Sequence, residues 1–176
     1  QIEVVQHRFV EQISELTIHY RNSPIVAGHS SIPSQVLSHN GLKPGDRAPE
    51  VQPLFRTDGT STRLFEVLRS TKHTLLLLAG EKSSPASLQQ LNKLANLVNE
   101  RYGDLVQVYL VVGDKYVSGE MQADVPVLLD KEKAMHRRYG AGAESLYLVR
   151  PDGYIGYRGQ PSAADHFWNY MRTIFM

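Results

Sequence analysis

Thr74-Leu75-Leu76-Leu77-Leu78-Ala79-Gly80-Glu81-Lys82-Ser83-Ser84-Pro85-Ala86-Ser87-Leu88 passes from an uninterrupted apolar run to a helix start. The run Thr74 to Ala79 has the pattern of a buried strand, and Gly80 bounds it. Ser84 is placed to N-cap a helix whose first position is Pro85, where the missing N–H costs nothing. Leu88, Leu91, Leu94, Ala95 and Val98 then recur at three- and four-residue steps, giving that helix one core face, and Gly103 ends it.

Downstream, Leu105 to Val112 repeats the buried-strand pattern, and Val125 to Leu129 is a shorter apolar run. Asp130 is placed to cap a helix through Ala134, Met135 and Tyr139, which Gly140 stops. Ser145 to Arg150 and Tyr154 to Arg158 alternate around Pro151-Asp152-Gly153, a hairpin signal. Ser162-Ala163-Ala164-Asp165 resembles a capping box and opens a last helix with Phe167, Trp168, Met171, Ile174 and Phe175 on its face. Upstream, Val51 to Phe55 and the segment after Thr60 flank Thr57-Asp58-Gly59 as a small hairpin, followed by a short helix at Leu64, Phe65, Val67 and Leu68. The order predicts an α/β fold: a mixed sheet with helices on both faces.

The N-terminal part differs. Ile2, Val5, Phe9, Ile13 and Leu16 form one apolar stripe, a helical arm that must pack on something because a lone amphipathic helix cannot bury its own face. Thr17 to Tyr20 reads as extended, and Ser23-Pro24 breaks the run. Residues 27–40 are turn-rich, with Gly28, Pro33 and four serines. The expected division is an arm at 1–26, a linker at 27–40 and a domain at 41–176. A first residue of Gln1 rather than Met points to a processed or truncated fragment.

Nineteen basic and eighteen acidic side chains leave a formal charge of +1 in 176 residues, 41% of them hydrophobic. That balance gives no field to draw nucleic acid or an anionic membrane, so neither is an expected partner. There is no cysteine, which excludes disulfides, thiolate nucleophiles and Cys-ligated metal centres. This fits a reducing, cytoplasmic setting. The apolar run at 75–79 is much too short to span a bilayer.

Gly45-Asp46-Arg47-Ala48-Pro49, Asp58-Gly59 and Leu64-Phe65-Glu66-Val67-Leu68 resemble the entry to peroxiredoxins and related thiol oxidoreductases. Asp130, Ala134 and Tyr139-Gly140, followed by Tyr147-Leu148-Val149-Arg150-Pro151-Asp152-Gly153-Tyr154-Ile155, resemble their closing half. The resemblance implies a thioredoxin-like fold over 41–176. Ser84 and Ser87 have the spacing of its Cys-x-x-Cys pair but carry hydroxyls, and Ala143-Glu144-Ser145 stands where its cis-proline belongs. Ser14 to Val26 resembles the end of the flavin-bearing part of FAD-dependent aromatic hydroxylases. In the phenol-hydroxylase-like group a serine- and proline-bearing connector leads from there to Gly-Asp-Arg-Ala-Pro, here Gly45-Asp46-Arg47-Ala48-Pro49. That implies a non-catalytic C-terminal structural or dimerisation domain of an aromatic-ring monooxygenase. FAD and NAD(P)H would then serve in upstream flavin and substrate domains, and the resemblance implies a homodimer. The rival reading is a free-standing, redox-dead thioredoxin- or peroxiredoxin-like binding module.

No catalytic, cofactor-binding or metal-binding residue is assigned. Gly45-Asp46 and Gly113-Asp114 lack the Ala and His continuation of a flavin motif, and no Gly-x-Gly-x-x-Gly turn occurs. His7, His19, His29, His39, His73, His136 and His166 are scattered rather than paired on one helix face. Asp165 and His166 are adjacent but point to different sides of a helix. Tyr109, Tyr147, Tyr154, Tyr157 and Tyr170 read as half-buried packing rather than a binding surface. The stronger surface candidate is the last helix, where Trp168, Met171, Ile174 and Phe175 suit docking or self-association if they do not all pack inward.

Overall fold

The leucine run forms the middle of a sheet. A computed structural model describes residues 20, 21, 23, 25–28, 41–80, 83–113 and 123–176. The expected arm helix over residues 2–16 lies outside them. In chain order the elements are β1 (Ala27–Gly28), β2 (Leu54–Arg56), β3 (Ser61–Thr62), α1 (Leu64–Val67), β4 (His73–Leu78), α2 (Pro85–Tyr102) and β5 (Val106–Val112). Then come β6 (Val127–Leu129), α3 (Ala134–Tyr139), β7 (Ser145–Val149), β8 (Ile155–Gly159), a 3-10 turn at Pro161–Ala163 and α4 (Ala164–Ile174). The sheet order is β1-β8-β7-β4-β5-β6-β2-β3. β4 pairs in parallel with β5 and antiparallel with β7, so both edges of the leucine strand are covered.

Successive side chains of a strand point to opposite faces, and β4 divides its leucines accordingly. Leu75 and Leu77 enter a cluster with Leu91 and Val98 of α2 and Phe167 and Met171 of α4. Leu76 and Leu78 enter a second cluster with Leu64 and Val67 of α1 and Met135 and Tyr139 of α3. All four are fully buried, which is why the run shows no polar alternation. The helices therefore sit on both faces, as the order of elements predicts.

Local chemistry explains most boundaries. The Ser84 hydroxyl accepts the Ser87 amide at 3.1 Å with Pro85 next to it, as read from the sequence. Gly140 ends α3 with φ of 63°, a conformation that favours glycine. The hairpin at 151–153 joins β7 and β8 antiparallel. Two expectations are corrected. Ser162 does not cap α4, because the chain first makes a 3-10 turn and Ala163 takes the N-cap position without a side-chain bond. Asp130 is not the N-cap of α3: Lys133 is, in a left-handed conformation, and Asp130 reaches over it to accept the His136 amide at 2.9 Å.

The sheet also takes in part of the stretch read as linker. Ala27 and Gly28 pair in parallel with Tyr157 and Arg158. The Tyr20 ring stands edge-on to Tyr154, with centroids 4.8 Å apart.

Candidate functional site

In an α/β sheet, ligands gather beyond the carboxyl ends of the parallel strands. Here that edge is formed by the ends of β4, β5 and β6, and the β4–α2 turn, where a thiol pair would stand in the resembled oxidoreductases, crosses it. Ser84 is exposed and Ser87 half-exposed, their hydroxyls 3.1 Å apart across the first turn of α2. Ser83 is buried and donates to Glu144 Oε1 at 2.6 Å, tying the turn to the residue just before β7. Gly80 packs against the same place: a Cβ there would lie 2.8 Å from the Ala143 backbone and 2.9 Å from the Glu144 nitrogen. The Ala143 backbone and the Glu144 carboxylate thus lie directly against Gly80 and Ser83.

The electrostatics argue against a nucleophile. Burial disfavours charge on Glu144, but hydrogen bonds from Ser83, its own amide and Ser87 outweigh this and hold the carboxyl below its usual range. A carboxyl held low is a weaker proton acceptor toward the Ser83 hydroxyl. The Ser84 hydroxyl is occupied in capping. The turn carries the place of thiol chemistry and none of its reacting groups.

Behind the turn lies a feature the sequence did not single out. Asp130 and His136 are almost completely buried, with Nδ1 of His136 2.6 Å from Asp130 Oδ2. The other ring nitrogen, Nε2, lies 2.6 Å from the Ala79 carbonyl at the end of β4. Both ring nitrogens face acceptors, so satisfying both bonds takes two hydrogens on the ring, or one on the ring and one on the carboxyl. Burial works against charge on Asp130, yet the His136 ring and the amides of His136 and Met135 hold its carboxyl below the ordinary value. The pair links β6, α3 and the end of β4, fixing the residue from which the turn departs. A sequence signal existed: His136 is the one polar residue beside Met135 and Tyr139 on an inward helix face, six residues after an aspartate.

The remaining histidines do not join it. His73 is half-buried, its ring edge-on to Phe175 at 4.9 Å, and burial lowers its pKa, assisted by Arg150. Asp165 and His166 lie on the exposed side of α4. His7, His19, His29 and His39 fall outside the described residues. Among the described residues, no three His, Asp or Glu side chains gather as a metal site, and no helix is long and apolar enough to cross a membrane.

Of the five tyrosines considered above as packing, Tyr147, Tyr154, Tyr157 and Tyr170 are buried, and Tyr109 is partly so. Tyr147 donates to the Tyr139 carbonyl and Tyr170 to that of Ile25. Burial pushes the Tyr147, Tyr157 and Tyr170 hydroxyls up to about 12. On α4, Phe167 and Met171 pack inward, while Trp168 and Phe175 are half-buried against Tyr102, at 6.5 and 5.6 Å.

The residues here do not fit a flavin dinucleotide. Its diphosphate would need glycine-lined backbone and a free helix start. The helix start of α2 instead carries the Ser84 cap, and the Glu144 carboxylate beside it would repel an anion.

Comparison with known proteins bears on the fold and the family. Among solved structures, a thiol:disulfide interchange protein DsbE from Chlorobium tepidum is similar at TM-score 0.61, with 19% identity over 76% of this chain and 98% of that one. Peroxidoxin BcpB from Mycobacterium tuberculosis gives 0.60 and 18% identity, with the same shares of both chains. These likenesses show the thioredoxin-like fold. A 6-methylpretetramide 4-monooxygenase from Streptomyces rimosus is 28% identical over 159 residues, covering 90% of this chain. The chain spans only 24% of that relative's length. The family described as aromatic-ring hydroxylase, C-terminal, matches residues 42–175, most of the chain. The chain belongs to that family of aromatic-ring hydroxylase C-terminal domains.

Proposed function

We propose that this chain is the C-terminal, non-catalytic domain of a cytoplasmic FAD- and NAD(P)H-dependent monooxygenase that hydroxylates an aromatic ring, and that it serves structure and dimerisation. The observation that carries the reading is the β4–α2 turn, where Ser84 and Ser87 stand in the place of a thiol pair and Ser83 ties the turn to Glu144. The family supplies the parent class, and a relative about four times as long supplies room for the rest. Flavin and nicotinamide would supply the redox chemistry in the preceding polypeptide. For self-association, the strip formed by Tyr102, Trp168, Phe175 and the exposed Leu105 is the candidate face.

The coding sequence before Gln1 tests the parent assignment. A long open frame with Gly-x-Gly-x-x-Gly near its start supports it; a start codon at or just before Gln1 contradicts it and leaves a free-standing redox-dead module. Equilibrium sedimentation tests dimerisation, and a strict monomer of the complete polypeptide would contradict that part.

A further inference from the structure

Outside the turn, Tyr20, Arg21, Ile25, Ala27 and Gly28 make contacts with the body of the domain. The Tyr20 amide donates to the Gly45 carbonyl at 2.9 Å, and the Gly45 amide donates to the Ile155 carbonyl at 2.7 Å. Arg21 Nε meets Asp46 Oδ1 at 2.6 Å, and the other Asp46 oxygen accepts the Lys43 amide at 2.9 Å. Gly45 has φ of 88°, and a Cβ there would strike the Arg21 amide nitrogen and come 2.5 Å from the Tyr20 carbonyl carbon. Further along, Tyr170 Oη donates to the Ile25 carbonyl at 2.7 Å, and β1 joins β8. The Gly-Asp-Arg stretch thus receives the chain segment that precedes it.

The stretch read as a linker has both ends on this one body. Gly28 pairs with Arg158 through the backbone. Arg158 donates to the Leu42 carbonyl at 2.8 Å, and its guanidinium lies against Gly41 so closely that a Cβ would meet it at 2.6 Å. A linker between bodies that move independently has its ends on different bodies. We infer that the described residues between Tyr20 and Gly28 form a strap locked at Gly45 and Asp46, through which the domain grips the polypeptide that enters it at Tyr20. What lies upstream rests on the proposed hydroxylase; the strap itself does not. Asp46 is a positioning residue here, holding Arg21 and the Lys43 turn in one geometry. A gripped strap sets the direction in which preceding domains leave, whereas a linker would let them swing.

Amide hydrogen exchange on the intact chain tests this. The Tyr20 amide is expected to exchange at least about 100-fold more slowly than in a free peptide. Asp46→Asn is expected to speed Tyr20 about tenfold or more while leaving Leu76 and Leu110 in the sheet centre unchanged. Arg21→Ala, which keeps the Lys43 turn, should act in the same direction. Free-peptide exchange at Tyr20 in the unaltered chain would overturn the strap, and indifference of Tyr20 to both substitutions would overturn the lock. A chain shown to stand alone would leave these rates as expected, so the two readings fail separately.

Discussion

Asp130 and His136 share one short contact of 2.6 Å inside the protein, and the same imidazole reaches the Ala79 carbonyl across 57 residues of sequence. Three elements are therefore held by one ring: β6 through Asp130, α3 through His136 itself, and β4 through Ala79. The turn that carries Ser83 and Ser84 starts from this anchored point.

Removing one side chain takes from the other, still buried, its 2.6 Å charge-bearing contact. Asp130→Ala should destabilise the chain by about 3–5 kcal/mol, and His136→Ala by a similar amount. Their double variant should cost clearly less than the sum. Urea unfolding of the four proteins checks this; simple additivity would mean the two side chains do not depend on each other.

The pair also sets an acid limit. The Asp130 carboxyl titrates below its ordinary value in the folded chain, so its contribution is fully present above the unfolded-state value of about 4 and is lost as pH falls through the lower folded value. The stability gap between the unaltered chain and Asp130→Asn should therefore be wide at neutral pH and shrink below about pH 4. Urea midpoints at both ends of that range measure it, and a gap independent of pH would contradict the assignment.

Two glycines with similar backbone angles should respond differently to a methyl group. Gly59 has φ of 84° and nothing within 4 Å of an added Cβ, so Gly59→Ala should cost only the left-handed penalty of about 1–2 kcal/mol. Gly45→Ala carries the same penalty and in addition strikes the backbone of Tyr20 and Arg21. It should lose clearly more in thermal unfolding and loosen the Tyr20 amide; equal losses at both sites would mean that the contact at Gly45 yields easily.

Ser84 distinguishes capping from chemistry. Ser84→Ala should lose about 1 kcal/mol, and Ser84→Asp should restore it, since aspartate caps as well as serine. Chemical denaturation gives both values. A nucleophile would not be rescued by aspartate in an activity assay.

Much of this fold was legible because local rules and tertiary packing agree. The leucine strand, the Ser84-Pro85 helix start and the Pro151-Asp152-Gly153 hairpin each state in sequence what the structure does. The failures have physical causes. Ser162 has the residue types of a capping box, but the 3-10 turn at Pro161–Ala163 displaces the helix start. Asp130 caps from a distance because Lys133 adopts a left-handed angle that lysine rarely takes. The bonds that define the candidate site, Ser83 to Glu144 and His136 to Ala79, join residues 61 and 57 apart. No periodicity encodes such pairs. The strap was hidden for a related reason: a two-residue strand leaves no pattern, and only its partner β8 shows that it belongs to the sheet.

We propose that this domain supports a hydroxylase without taking part in its chemistry. The most direct test is turnover of the complete polypeptide carrying Ser83→Ala, Ser84→Asp, Ser87→Ala and Glu144→Gln together, with bound flavin and thermal midpoint measured alongside. Aromatic hydroxylation should stay within about twofold of the unaltered enzyme once any change in folded fraction is allowed for. A fall of more than about a hundredfold, with flavin content and midpoint preserved, would place a reacting or transition-state group in this turn and contradict the account.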